Sequence, residues 1–137
     1  PKDKTMSTYL LFLKLPKMIN ISVGKLGQFS FPAGQYLYVG RAKKNLEARL
    51  KRHQRKNKTL HWHVDYLLQY AILETIITYD GNDECGLARY LTCQPGITLP
   101  VHKFGSSDCH CESHLFQLDG SLCSLGLPPG YAVFLNS

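Results

Sequence analysis

The sequence predicts a mixed α/β domain, and three observations predict it. The chain has 137 residues, one domain of ordinary size that buries about 68% of its unfolded surface without disulfides or metal. Apolar residues make up 44% and charged residues 19%, which excludes wholesale disorder, collagen and coiled coil. Strand-like and helix-like stretches interleave with no strict βαβ rhythm, no repeat and no dividing linker.

In order, Ser7 to Leu15 (STYLLFLKL) is an apolar run ending at Pro16, a buried strand. Ile19 to Phe31 alternates around Gly24 and Gly27, a hairpin with Lys25-Leu26 at its tip. Pro32-Ala33-Gly34 turns the chain into the strand Tyr36 to Gly40, so the chain opens with a β-meander. Leu46, Arg49, Leu50 and His53 fall on one helical stripe, with Asn45 placed to cap it. A second helix is expected around His61 to Tyr70. A strand rich in β-branched residues follows from Ala71 to Tyr79, then a turn at Tyr79-Asp80-Gly81-Asn82. Asn82 or Asp83 caps a helix carrying Leu87 and Leu91, which Pro95-Gly96 stops. Lys103 to Cys111 is loop-like, and Ser113 to Leu118 and Tyr131 to Leu135 are short strands.

The formal charge is +6, but residues 41–58 hold nine Lys and Arg against one acid, Glu47, a local balance of +8. The remainder, with seven basic and nine acidic residues, is slightly acidic. Charge this concentrated is a footprint for a polyanion, with a solvated helix face as the alternative. Arg41, Lys43, Lys44, Lys51, Arg52 and Arg55 are the candidate nucleic-acid contacts.

No apolar run is long enough to span a bilayer, and no charged segment leads into a secretory apolar core, so no membrane partner is expected. Five cysteines, an odd number, fit reduced thiols and a cytoplasmic location better than a disulfide framework.

Arg49 and His53 lie four apart, one above the other by about 6 Å. A charged Arg on a core-facing stripe asks for an anion, such as a phosphate at a cleft, or else for a side chain that reaches past the core edge. Glu84 aligns with Leu87 and Leu91, which turns its carboxylate towards the packed side. A hard divalent metal that keeps most of its waters suits one such carboxylate; favourable placement at a helix N-terminus is the alternative.

Tyr38-Val39-Gly40, Arg49 and His53 on the next helix, and Glu84 with Leu87 and a downstream Pro95 resemble the GIY-YIG nuclease superfamily. The wider order resembles its DUF123 branch: YLLFL, VGKLGQFSFPAGQYLYVG, LEARLKRH, LHWHVDYLL, EC with LARYL, and GSSDCHCESHLF. This match runs over about residues 8 to 118 of a single domain, with 119–137 as a C-terminal extension. It implies a GIY-YIG-like α+β fold, with a small, three-stranded, central antiparallel sheet flanked by helices. It also implies a metal-dependent endonuclease that hydrolyses phosphodiester bonds in nucleic acid, most simply DNA, with one Mg²⁺ or Mn²⁺. By the same resemblance Glu84 holds the metal, Arg49 the phosphate, Tyr9 is the general base, Tyr38 orients water or phosphate, and His53 takes or relays a proton. Positive charge from Arg49 and the metal is expected to lower the base's pKa.

The chain departs from the superfamily pattern where Ser7 and Thr8 replace Gly and its apolar neighbour, and in a longer gap from Tyr9 to Tyr38. Gly34-Gln35-Tyr36 spells a more literal triplet, but it abuts the next strand without a turn. The pattern's late Asn has no clear counterpart; Ser106, Ser107 and Asp108 stand in that region, with Ser106 and Ser107 as candidate nucleic-acid contacts.

Two rival constellations remain. His61, His63 and Asp65 spell HxHxD, as in metallo-β-lactamase-like hydrolases, but Tyr66 replaces the next His and the chain is too short for that fold. Cys109, Cys111 and His114 offer a zinc alternative without paired CxxC knuckles, so buried reduced thiols are expected instead. A nucleic-acid-binding module without turnover, or a zinc-stabilised interaction domain, are the alternative functions.

Overall fold

A computed structural model describes residues 7–42, 45–55, 59, 63–81, 84–100, 104, 113–118 and 126–136. The elements are β1 (Ser7–Leu15), β2 (Ile19–Val23), β3 (Gly27–Phe31), β4 (Gly34–Ala42), α1 (Leu46–Gln54), α2 (His63–Leu68), β5 (Ile72–Asp80), α3 (Glu84–Thr92), β6 (Ile97–Thr98), β7 (Leu115–Leu118) and β8 (Ala132–Asn136). The fold is α+β, and every strand pairing among the described residues is antiparallel.

β1 is the uninterrupted apolar run because it lies between two neighbours and is covered on both faces. It pairs with β4 on one side and β5 on the other, in a six-stranded sheet ordered β6-β7-β4-β1-β5-β8. The three-stranded sheet that the family resemblance implies is therefore only the centre. Leu115–Leu118 extends it beyond β4, and the strand Ala132–Asn136 extends it beyond β5. β2 and β3 form a separate hairpin through a short 3-10 turn at Gly24–Leu26. Gly34-Gln35-Tyr36 lies within one continuous strand, β4, as its position against YLYVG predicts.

The period of two along β1 divides the core. Tyr9, Leu11, Leu13 and Leu15 face one side, with Tyr36 and Tyr38 from β4; α1, α2 and the hairpin cover them through Leu50, Val64, Leu67 and Phe31. Leu10 and Phe12 face the other side with Leu37 and Val39, and α3 covers them with Leu87, Ala88 and Leu91. Each fully buried leucine here stabilises the fold by roughly 1.5–3 kcal/mol.

Asn45 does not cap α1 through its side chain. Its backbone is left-handed (φ 54°, ψ 48°), unlike the extended conformation that aims a capping side chain at the first amides. Its carbonyl accepts the first helical bond, from Arg49 N at 3.0 Å. Asn82 and Asp83, the expected caps of α3, lie outside the described residues.

Candidate active site

The ends of β1, β4 and β5 meet at one edge of the sheet, where Ser7 pairs with Ala42 on one side and Asp80 on the other. α1 starts beyond β4, and α3 starts beyond β5, so both helix N-termini return to this edge.

Tyr9 sits directly opposite Gly40 across the β1–β4 ladder, so both point to the same face. A Cβ at position 40 would lie 2.6 Å from Tyr9 Cε1 and closer still to the ring's outer carbon and hydroxyl. The glycine of the Tyr-Val-Gly triplet thus makes room for the Tyr9 ring to lie across β4.

That ring brings its hydroxyl 2.8 Å from His53 Nε2, both side chains being buried. The rings are 5.4 Å apart and tilted by 54°. Arg49, one turn earlier on α1, hydrogen-bonds to the same hydroxyl and donates through Nη1 to the Arg41 carbonyl at 2.6 Å. Guanidinium only donates, so the Tyr9 oxygen accepts from Arg49; in the tautomer that leaves Nε2 unprotonated, the phenol's own proton goes to His53. Three side chains are therefore chained Arg49 to Tyr9 to His53.

Glu84 opens α3 and keeps 16% of its side chain exposed. Its Oε1 lies 3.2 Å from Arg41 Nε and its Oε2 3.8 Å from His114 Nδ1. Burial lowers the His114 pKa to about 4, against a raising hydrogen bond at Val39 and with Arg41 adding to the fall. His114 is thus neutral near pH 7, and its contact with Glu84 is not an ion pair. Backbone bonds fix it: Val39 N donates to its carbonyl at 2.9 Å, and its own N–H donates to Phe104 O at 2.8 Å. His114 is a residue that sequence reasoning placed only in a zinc alternative. Its place beside Glu84 depends on β7 joining β4, and its local sequence carries no such signal.

Tyr38 lies on the same face two positions before Gly40, edge-on to Phe104 at 6.2 Å. Tyr9, Glu84 and Arg49 all act electrostatically on it. The five expected residues Tyr9, Tyr38, Arg49, His53 and Glu84 are thus brought into one neighbourhood, by contact or by electrostatic influence. The tyrosines do not behave as expected. Burial raises both phenols well above 10.0, and for Tyr9 this outweighs the opposing pull of Arg49.

The basic residues divide. Lys51 is exposed and pairs with Glu47 across one helical turn at 3.3 Å, and Arg55 is exposed at the end of α1. Arg41 holds Glu84. Arg52 grips the fully buried Asp65 with both terminal nitrogens, at 3.0 and 3.1 Å, and donates to Thr59 O at 2.7 Å. It ties α1 to α2 rather than presenting an open guanidinium. Asp65 of the HxHxD run is accounted for by this clamp, and His63 packs edge-on against Phe104 at 5.5 Å.

Lys43, Lys44, His61, Ser106, Ser107, Cys109 and Cys111 lie outside the described residues. Among the described residues no cluster of three or more His, Cys, Asp and Glu side chains could enclose a metal by itself. No described helix is long and apolar enough to cross a membrane.

A family model described as "Domain of unknown function DUF123" matches residues 8–125. No curated protein and no solved structure matches the chain.

Proposed function

The chain belongs to the DUF123 family, and on that premise we propose that it is a metal-dependent endonuclease of GIY-YIG type, hydrolysing phosphodiester bonds in nucleic acid, DNA first among them. The observation that carries this reading is the Arg49–Tyr9–His53 chain laid over Gly40, at the same sheet edge as Glu84.

A water molecule attacks phosphorus and one ester P–O bond breaks. The Tyr9 oxygen accepts the water's proton as its own passes to His53 Nε2, already 2.8 Å away. This handover answers the raised pKa, since the buried phenol never has to carry a free negative charge. Arg49, released from the Arg41 carbonyl, pairs with a non-bridging phosphate oxygen as charge builds there. The leaving oxygen is protonated from solvent, and Tyr38 orients water or phosphate beside Tyr9.

Glu84 fits a divalent ion. It offers hard oxygens at a partly open position, already faces a cation in Arg41, and has a neutral imidazole at its second oxygen. Mg²⁺ asks for no more than one or two carboxylates when phosphate and water complete its shell. Such an ion supplies charge neutralisation at the phosphate and the leaving oxygen.

A second reading, a binding module without turnover, draws support from the same raised phenols and from the Arg41–Glu84 pair standing where the metal would sit. One experiment separates the two. Purified protein with Mg²⁺ or Mn²⁺ is given linear, flapped, bubbled and four-way-junction DNA, with single-stranded RNA alongside. Cleavage by wild type and its loss in Glu84→Gln, with metal-free binding retained, supports the enzyme. Binding without any cutting, or undiminished cutting by Glu84→Gln, sinks it.

A further inference from the structure

We propose that a groove on the α3 side of the sheet receives an unpaired nucleobase of the substrate, stacked on Tyr90, beside the phosphate held near Glu84. This rests on the phosphodiesterase reading and adds a substrate class to it: strands with an unpaired base at the cut site.

The groove encloses about 390 Å³, within the range of roughly 300–1,000 Å³ seen for small-molecule sites. It lies on the reverse face of the strand ends that carry the candidate active site. Thr8, which precedes Tyr9, and its cross-strand partner Tyr79 form its floor, and Gly86, two residues after Glu84, forms part of its wall. A strand whose phosphate sits at Glu84 therefore meets this opening next.

Its shape is held before anything binds. Tyr79 donates its hydroxyl to Pro128 O at 2.9 Å and lies edge-on to Tyr131 at 5.9 Å. Tyr90, 38% exposed, stands one helical turn beyond Gly86 on the same face of α3. A glycine inside a helix is unfavourable relative to alanine, and here Gly86 lines the opening without a side chain to fill it. Tyrosine and proline walls suit a flat aromatic ring, since every base has a face to stack.

The charge pattern disfavours a backbone phosphate in the groove itself. No Lys or Arg lines the groove among the described residues, and Arg41, which faces Thr8 across β4 on this side, is paired with Glu84. Enzymes that act on paired strands take a base out of its stack more readily where it is already unpaired.

The test uses the whole chain in metal-free buffer, with duplex DNA carrying one unpaired 2-aminopurine and the same duplex fully paired. The unpaired probe is expected to bind more tightly, with its fluorescence quenched by stacking. Tyr90→Ala should weaken that binding roughly 5- to 150-fold, the range for removing one base–aromatic stack, while the paired duplex binds as before. Gly86→Leu should do the same by filling the opening. Because a leucine there can also disturb the helix, Tyr90→Ala, at an exposed position, decides if the two disagree.

Equal binding of paired and unpaired probes, or an unpaired preference that survives Tyr90→Ala, overturns the groove. So does binding of a free nucleoside there without any preference among the strands. Cleavage with magnesium is read separately. A protein that shows the Tyr90-dependent preference but never cuts retains the groove and loses the nuclease reading; one that cuts regardless of Tyr90 does the reverse.

Discussion

The two faces of β1 are built from the same alternating strand and hold opposite kinds of interior. On the α3 side, Leu10 and Phe12 meet Val39, Leu87 and Leu91 in an ordinary apolar core. On the α1 side, the outer end of the strand places Tyr9 and Tyr38 among His53, Arg49 and Asp65, all buried or half-buried. Burying polar groups costs free energy unless each is partnered. The second face lowers that cost with the Tyr9–His53 and Arg52–Asp65 contacts, where plain leucines would pack without it. The difference teaches that the α1 face carries polar groups that packing alone does not call for.

The comparison breaks most sharply on activity. Tyr9→Phe removes one hydroxyl and should lower cleavage by about 10²–10⁴-fold, the usual range when a general base is removed. Its cost in stability should stay within about 1–3 kcal/mol, for the polar partners left behind. Gly40→Ala should abolish cleavage as well, because the added Cβ runs into the Tyr9 ring, itself 2% exposed and unable to move aside. Rates on the best substrate of the DNA panel, beside urea midpoints, measure both. A Tyr9→Phe protein that cuts at wild-type rate would remove Tyr9 from the chemistry.

On stability, Arg52→Ala should cost about 3–5 kcal/mol by leaving the Asp65 carboxylate buried without its guanidinium. Leu87→Ala on the apolar face should cost about 2–5 kcal/mol. Only the first should be rescued in part by a second change, Asp65→Asn. Urea titration of wild type and these variants checks this, and an Arg52→Ala protein as stable as wild type would mean the clamp is not a structural tie.

A smaller effect is set by pH. The unfolded His114 ring titrates at 6.5 and the folded one at about 4, so between those values the unfolded chain binds more protons. This group's contribution to stability is therefore lost as pH falls from 6.5 towards 4, and changes little below that. His114→Asn should show a shallower dependence of urea midpoint on pH over that window; identical slopes would refute it.

The smallest concerns the exposed rim. Neutralising Lys51 or Arg55 should lower the log–log salt slope of duplex DNA binding by up to about 0.9 for each phosphate that the side chain had neutralised. An unchanged slope would make this part of α1 a solvated face.

Much of this arrangement is legible in the sequence because it is local. The apolar run gives β1, the four-residue spacing gives Arg49 above His53, and the stripe with Leu87 and Leu91 turns Glu84 inwards. What is not legible depends on pairing between distant segments. Nothing near Arg52 announces Asp65 across the α1–α2 turn, so it reads as one more surface cation. Nothing near His114 announces β4. The direction of the tyrosine shifts runs against expectation because the charge of Arg49 is visible in the sequence, whereas the depth of burial that outweighs it is a property of the packed sheet.

The central position of β1 has a kinetic consequence. Of the described strands it is made first and is the most apolar, yet Tyr9 pairs with Thr78, which lies far down the chain. At roughly 5–20 residues per second the nascent strand waits several seconds for its second neighbour. During that time one hydrogen-bonding edge and one greasy face stand open. Refolding should accordingly be slow for a chain of this size, and yield in the cell should fall with rising expression rate and recover when a chaperone shields the first strand until β5 arrives.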